Sequence, residues 1–293
     1  MRIMIIHSSR RADFPVLDLI KTAKSMGIEV KPVVLRGINI LVDDDPKVTY
    51  RGENLLKYSG GIVRSFGFNI NLYQHFRRIA VLKTLEDLGV VLMNPIDPLL
   101  ISRNKLMTLI MLKRAGIAVP RTFASEFLKD EYQAVVNFGI SVIKPLVGSR
   151  GYGITLIKDP DVGFNVLKTL ALYGQYPLVQ EYIKNRGYDI RAFVVNGRVI
   201  AAMKRIAVSG WKTNIAQGAR GEPISLSEEV ERIAVKATET IGLWYAGVDI
   251  IESDGKFYVL EVNGSPDWKE LKSVTKTDPA REILNCLIDK VKR

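Results

Sequence analysis

The chain has 293 residues, 47% apolar and 25% charged, a single cysteine and a formal net charge of +11. That is ample for a packed core and two or three lobes of ordinary size, while one cysteine excludes an internal disulfide framework or a cysteine-cluster metal site and fits a reducing, cytoplasmic setting. No apolar run approaches the roughly 20 residues of a membrane-spanning helix, and no basic run exceeds three residues, so the scattered Lys and Arg describe an anionic small-molecule chemistry better than a nucleic-acid face.

Residues 1–98 alternate short Val/Ile-rich runs with helical patterns: Ile3–Ile6, a helix near Pro15–Met26, Glu29–Leu35, Gly61–Arg64 and a helix near Leu72–Leu88. This βαβ alternation predicts an open parallel sheet, and the opening run reads as a buried strand, not a secretory signal. Val90–Met93 then runs into Asn94-Pro95-Ile96-Asp97-Pro98, where two prolines are expected to bar a helix and mark a lobe boundary. A helix is predicted over Ser102–Ala115, stopped by Gly116. Residues 99–183 read as a small α+β lobe, with helices near Asp130–Phe138 and Val162–Tyr173 and a Gly-rich turn between strands. Residues 184–293 form the third, with strands at Asp189–Val195, Val199–Arg205, Ala246–Glu252 and Phe257–Val262 and helices near Ser227–Ile241 and Asp278–Val291; Cys286 falls on the apolar stripe of the last. His7 reads as buried at a strand end and His75 as a helix-surface residue, neither with a partner at metal-ligand spacing.

Gly247-Val248-Asp249-Ile250-Ile251 and Val259-Leu260-Glu261-Val262-Asn263 flank the hairpin turn Ser253-Asp254-Gly255. Antiparallel pairing about that turn brings Asp249 near Glu261, with Asn263 two residues on and on the same face. Two carboxylates and an amide oxygen on otherwise apolar strands suit Mg²⁺ or Mn²⁺, hard cations that prefer oxygen. The competing reading, edge residues facing water, is disfavoured because Asp, Glu and Asn are depleted in strand interiors.

Val142-Ile143-Lys144-Pro145 leads into Gly148-Ser149-Arg150-Gly151-Tyr152-Gly153, a strand ending in a lysine before a glycine-rich loop. Such a loop can wrap phosphates, since glycines let backbone amides approach anionic oxygens, although its spacing is neither the P-loop nor the dinucleotide fingerprint and it reads equally as a plain hairpin. A third polar group runs through Gln180-Glu181-Tyr182-Ile183, Asp189-Ile190-Arg191, Lys204-Arg205 and Lys212-Thr213-Asn214. Glu181 to Ile183 would serve as an interlobe hinge pairing with adenine, and Lys204, Arg205 and Arg191 would face charge developing on a transferred phosphate. Each taken singly is as well read as a surface salt bridge.

The order of these pieces, from Arg103-Asn104-Lys105 through Lys144-Pro145, Gly148 to Gly153, Gln180 to Ile183, Asp189 to Arg191, Asn214, Asp249 and Glu261 to Asn263, resembles the RimK-like glutamate-ligase branch of the ATP-grasp superfamily over roughly residues 85 to 285. The resemblance implies three lobes (1–98, 99–183 and 184–293), with ATP clamped between the second and third. It implies that Lys105, Lys144 and the loop at Gly148, Ser149, Gly151 and Gly153 bind nucleotide phosphates. Gln180, Glu181, Tyr182, Ile183 and Asp189 would hold the adenosine, Lys204, Lys212, Thr213 and Asn214 the phosphate side, and Asp249, Glu261 and Asn263 two metal ions. The implied reaction makes an acyl phosphate that an amine then attacks, with Arg191 and Arg205 stabilising the charge.

Members that modify a ribosomal protein continue after the Asn214 position with a His-Arg-Gly-Gly type segment, where this chain has Ile215-Ala216-Gln217-Gly218-Ala219-Arg220. The stretches Arg191 to Val195, Ala201 to Met203, Trp211 to Asn214 and Trp244 to Asp249 are more similar to archaeal enzymes that add L-glutamate to tetrahydromethanopterin. Other anionic acceptors in the branch are a deazaflavin coenzyme and an acidic carrier protein. The first lobe, with Arg64-Ser65-Phe66-Gly67-Phe68, is expected to read the acceptor, with Trp211 either lining that pocket or simply packed; a homo-oligomer is compatible with the sequence. The rival from another class, a nucleic-acid binder without catalysis, would need a contiguous basic face with interleaved aromatics and no carboxylates such as Asp249 and Glu261 in it.

Overall fold

The computed structural model describes residues 1–9, 11–67, 70–148, 151–208 and 210–292. The first sheet grows from β1 (Arg2–His7) and β2 (Glu29–Val34), joined by α1 (Phe14–Ser25). A small antiparallel sheet of β3 (Ile38–Leu41), β4 (Lys47–Tyr50) and β5 (Glu53–Asn54) interrupts before β6 (Gly60–Val63), α2 (Leu72–Asp87) and β7 (Val91–Met93) complete the parallel order β2-β1-β6-β7. Helices cover both faces, so Ile3–His7 of β1 and all of β6 are buried and the alternation of polar and apolar positions disappears there, while the edge strand β2 keeps exposed positions at Glu29 and Pro32. Ile3, Ile5 and Ile62 face one core; Met4, Ile6 and Val63 face the other, against Val81, Leu82 and Leu85 of α2.

The prolines after Asn94 do not stop a helix. They start one: α3 spans Ile96–Arg103 with Pro95 at its N-cap and Pro98 inside its first turn, positions whose amides have no intrahelical acceptor and so lose nothing to a proline ring. The predicted Ser102–Ala115 helix is in fact the end of α3 and a separate α4 (Lys105–Arg114), divided at Asn104, whose side chain caps α4 by accepting from the Met107 amide at 3.1 Å.

Next come β8 (Thr122–Phe123), α5 (Leu128–Phe138), β9 (Ser141–Lys144), β10 (Thr155–Ile157), α6 (Pro160–Leu172) and β11 (Leu178–Glu181), giving the antiparallel order β10-β9-β11-β8 and a small core of its own around Val135, Ile143, Leu167 and Val179. The glycine-rich loop is the β9–β10 connection. Finally β12 (Tyr188–Val195), β13 (Arg198–Ile206), β14 (Arg220–Pro223), α7 (Glu228–Ile241), β15 (Tyr245–Ser253) and β16 (Lys256–Asn263) build a five-stranded antiparallel sheet in the order β14-β13-β12-β15-β16. Its even-numbered β12 residues, Ile190, Ala192 and Val194, pack with Ala234 and Ile241 of α7, which leaves the odd-numbered ones for the opposite face.

Two helices, α8 (Lys269–Thr275) and α9 (Pro279–Val291), close the chain. Ile283, Leu284 and Leu287 of α9 join the core of the first sheet, with Cys286 buried as expected. Trp268, fully buried, packs edge-on against Phe193 at 6.0 Å and donates from its indole nitrogen to Asp18 at 2.9 Å, tying the five-stranded sheet to α1. Asn94 binds the same two regions through polar contacts. Its Oδ1 accepts from the amides of Trp244 (2.7 Å) and Tyr245 (3.0 Å), and its Nδ2 donates to the carbonyls of Tyr245 (2.8 Å) and Gly264 (2.7 Å).

Among the described residues, no helix is long and apolar enough to cross a membrane. Asn94 is fully buried, so Asn94→Ala leaves four backbone groups without partners. We expect a loss of about 3–5 kcal/mol in urea unfolding; a loss below about 1 kcal/mol would show that the clamp is dispensable.

Candidate active site

The β15–β16 register places Asp249 directly opposite Glu261 and Gly247 opposite Asn263, although the turn alone, which pairs Ser253 with Lys256 and Ile250 with Val259, would set Asp249 opposite Leu260. A bulge makes the difference: Leu260 is an extra residue on β16 between the Ile250–Val259 and Asp249–Glu261 pairs, and it shifts Glu261 into place. Leu260 and Glu261, which plain alternation would send to opposite faces, therefore both line one cavity.

On the neighbouring strands two more pairs lie cross-strand: Asp189 opposite Arg205, and Arg191 opposite Asp249. All four side chains are buried, between 2% and 9% exposed. Arg205 holds Asp189 with both nitrogens, Nε to Oδ1 at 2.7 Å and Nη2 to Oδ2 at 2.5 Å, and Nη2 also reaches Asp249 Oδ2 at 2.8 Å across β12. Arg191 grips Asp249 from the other side, Nε to Oδ1 at 2.5 Å and Nη2 to Oδ2 at 3.0 Å. Burial alone would raise the Asp249 carboxyl, but the guanidiniums of Arg191 and Arg205 outweigh it and hold it below its ordinary value. Burial likewise opposes the Arg205 charge, and Asp189 and Asp249 more than compensate. Gly247 makes room for this row, since a Cβ there would lie 2.6 Å from Arg191 Nη1.

Two cavities meet at this row. The smaller, about 110 Å³, is lined by Lys105, Lys144, Gln180, Glu181, Tyr182, Ile183, Asp189, Lys212, Thr213 and Asn214. The larger, about 750 Å³, opens toward the first sheet and is lined by Arg64, Ser65, Phe66, Arg103, Gly148, Arg191 and Asn263 among others. Arg205, Asn214, Asp249 and Glu261 line both. Lys105 spans the junction, its Nζ 2.8 Å from the Gly148 carbonyl and 3.4 Å from Glu261 Oε1. Burial, and then the nearby Lys105 ammonium, push Lys144 down to about 8.

Some expected residues take other places. Glu181 turns its carboxylate to Arg121, accepting from its amide at 2.7 Å and its Nε at 2.6 Å, so only its backbone and the strand end it belongs to remain for a ligand. Lys204 is not brought to either cavity: alternation along β13 puts it on the face opposite Arg205, over the Tyr188 ring at 4.6 Å. Gly151 and Gly153 stand outside both linings, with the Gly151 carbonyl 3.5 Å from Lys212 Nζ. Ser149 and Phe68 fall outside the described residues. Trp211 lines the smaller cavity, edge-on to Tyr182 at 6.0 Å, and not the larger one. The apolar wall formed by Val142, Ile154, Ile251 and Leu260 escaped the sequence reading; for Val142 the signal existed, two residues before Lys144 on the same strand face.

A family model described as the RimK-like ATP-grasp domain matches residues 102–287. The chain belongs to the RimK-like ATP-grasp family. Tetrahydromethanopterin:alpha-L-glutamate ligase of Methanocaldococcus jannaschii is 34% identical over the full length of both chains. A probable alpha-L-glutamate ligase of Rhodopirellula baltica is 34% identical over 97% of this chain and 70% of its own. The fold is shared with the ATP-grasp ligase PsnB complexed with minimal precursor, Mg and ADP, at a TM-score of 0.75, 21% identity and coverage of 99% and 98%.

ATP-grasp ligases use ATP and Mg²⁺, and the donor set of this chain fits the ion. Asp249, Glu261 and Asn263 offer only hard oxygens on one face of adjacent strands. Among the described residues no three His, Cys, Asp or Glu side chains cluster tightly enough to hold a metal unaided, so an ion here would complete its shell with phosphate and water oxygens, as Mg²⁺ commonly does.

Asp249 also holds the strands together, which sets a testable cost. Asp249→Asn strips the buried Arg191 of its countercharge and leaves Arg205 with Asp189 alone, and we expect metal-free unfolding in urea at neutral pH to show a loss of roughly 3–5 kcal/mol. A nearly neutral substitution would mean that the row bears no structural load.

Proposed function

We propose that this ATP-dependent ligase activates a carboxylate of an anionic acceptor as an acyl phosphate and joins it to the amine of L-glutamate, with an acceptor of the tetrahydromethanopterin type. The observation that carries this reading is that Asp249 and Glu261 line both cavities: a nucleotide in the smaller one would direct its terminal phosphate at a carboxylate lying in the larger. Lys105 and Lys144 are assigned to the phosphates and Gln180 to Ile183 with Asp189 to the adenosine. Lys212, Thr213 and Asn214 take the phosphate side, and the Gly148 to Gly153 loop covers it and keeps water from the acyl phosphate. Arg191 and Arg205, fixed by their aspartates, hold positive charge ready where negative charge accumulates, so no reorganisation is needed during transfer. Mg²⁺ or Mn²⁺ at Asp249, Glu261 and Asn263, as we read it two ions, would neutralise the repulsion between the reacting oxyanions. Relatives named as glutamate ligases at 34% identity support the amino acid and the acceptor, and ATP with a buried lone cysteine suits the cytoplasm.

The test is phosphate release from ATP and Mg²⁺ with L-glutamate against tetrahydromethanopterin, the deazaflavin coenzyme and an acidic carrier peptide. We expect release with the first, a product heavier by one glutamyl unit, and a drop of at least about a hundredfold in Glu261→Ala. Turnover with another acceptor would replace the substrate assignment; no ATP binding would sink the ligase reading.

Lys144 gives a pH signature. Its charged form, which attracts phosphate, is lost as pH rises through about 8 in the free protein. Metal-free ADP binding should therefore weaken from about pH 7 to 9, approaching tenfold per unit above the transition, while Lys144→Met binds weakly and without that slope. A flat wild-type profile would remove Lys144 from the phosphate site.

A further inference from the structure

Two guanidiniums, those of Arg78 and Arg103, converge on Phe66 at the end of the larger cavity nearest the first sheet, and Arg64 lines the same cavity. Arg64, 4% exposed, donates from Nη1 to the Tyr245 hydroxyl at 3.0 Å and from Nη2 to the Pro266 carbonyl at 2.7 Å, lies 4.5 Å from the Trp268 ring centroid, and has a buried Nε with no acceptor. Arg78, 7% exposed, donates from Nη1 to the Phe66 carbonyl at 2.5 Å. Arg103, half-buried, lies over the Phe66 ring at 5.1 Å and donates to the Gly67 carbonyl at 3.2 Å. The cluster is built into the backbone: Gly67 has φ +111°, and a Cβ there would sit 2.1 Å from Arg78 Nη1.

Among the described residues none of the three pairs with a carboxylate, although Arg191 and Arg205 a short way along the same cavity are fully paired. Asp13, Asp267 and Glu270 also line the cavity but leave these arginines alone. Asp13 caps α1 by accepting from the Val16 amide at 3.2 Å, and Asp267 accepts from the Lys269 amide at 2.8 Å. A desolvated cation without a countercharge is costly. Burial, and then Arg78, lower Arg103; burial, and then Arg77 and Arg36, lower Arg78. Such a strained group at a cavity wall is satisfied when an anion arrives with a ligand. Arg64 and Arg103 reach that wall, and so does Ser65, whose hydroxyl bonds to that of Ser8 at 2.6 Å. The room, about 750 Å³, is that of a cofactor-sized molecule, far more than one amino acid fills.

We propose that Arg64 and Arg103, backed by Arg78, form a subsite for a second oxyanion of the acceptor, a carboxylate or a phosphate distinct from the group that reacts. The identity of the molecule carrying it rests on the ligase reading above; the anion site itself does not. The site selects acceptors by an anchoring charge remote from the bond being made, so its loss raises the acceptor KM and spares the binding of ATP.

The experiment uses Arg103→Gln, with Arg64→Gln as the second variant. In the ligase assay, Arg103→Gln should raise the acceptor KM by roughly ten- to a hundredfold, with the KM values for ATP and L-glutamate unchanged, and an acceptor analogue lacking the remote anion should not distinguish variant from wild type. An unchanged acceptor KM, or a rise in the L-glutamate KM instead, overturns the proposal. Independently of turnover, glutarate and inorganic phosphate are titrated into protein saturated with a non-hydrolysable ATP analogue, with thermal unfolding as the readout. Stabilisation of wild type by either probe, abolished in both variants, supports the subsite, and the tighter probe assigns carboxylate or phosphate. Equal stabilisation of wild type and variants overturns it. Anion-dependent stabilisation without turnover on any acceptor would keep the subsite and defeat the ligase reading.

Discussion

Arg205 reaches two aspartates on two different strands, and the shape of the cleft follows from that reach. Asp189 lies beside it on β12 and Asp249 beyond on β15, so the guanidinium bridges three strands from one face of the sheet while Arg191 returns to Asp249 from the strand between. Isolated, each of these charges would be prohibitively costly to bury; alternated along a row they satisfy one another and become a fixed polar floor. On the proposed assignment that floor would supply a carboxylate for a hard cation and fixed guanidinium donors for a transferred phosphoryl group. A water-filled site would have to reorient its dipoles as the charge moved; this one has them already in place.

The walls differ in how firmly they are attached to the floor. On the side of the larger cavity, Asn94, Trp268 and α9 lock the first sheet to the ends of β15 and β16, and Arg64 adds direct bonds to Tyr245 and Pro266. On the side of the smaller cavity, the β8–β11 sheet has its own core, and its ties to the floor run through loops: Lys105 to Gly148, Lys212 to Gly151, and the Val259 amide to the Ala118 carbonyl at 2.9 Å. A lobe with an independent core and loop tethers is the part that can swing as a body. On the proposed assignment the acceptor would sit at the firmly attached end and the nucleotide at the loop-tethered one, an arrangement in which binding of nucleotide would complete the site around an acceptor already held.

Much of this was legible because the signals are periodic. Solid apolar runs gave the parallel strands, since both faces are buried, and the turn at Asp254-Gly255 gave the β15–β16 pairing to within the one residue by which the bulge shifts Glu261 to Asp249. What failed had local causes. The prolines at 95 and 98 look like breakers, yet in a first turn their missing amides cost nothing. Lys204 and Arg205 are adjacent in sequence, and strand geometry sends one to the cleft and the other to Tyr188; the residues alone do not say which. Leu260 is placed by a bulge that breaks alternation, and a bulge of this kind carries no glycine or turn residue to announce it. The small β3–β5 sheet went unread because its strands are two to four residues long, too short for alternation to emerge.

The excess of basic residues, ambiguous in composition, resolves by position. At the junction of the two cavities four cations, Lys105, Lys144, Arg191 and Arg205, stand with three carboxylates, Asp189, Asp249 and Glu261, and at the far end Arg64, Arg78 and Arg103 pair with none among the described residues. A nucleic-acid face would instead spread exposed cations over a convex surface, where solvent screens them and salt competes. Here much of the charge is desolvated and concave, which strengthens each interaction and limits the partner to something small enough to enter. The lowered Lys144 marks the same economy from the other side: the protein alone cannot comfortably keep every one of these groups charged, and a polyanionic ligand removes the conflict. On the proposed reading, affinity for anions and strain in their absence would be one property of the cleft.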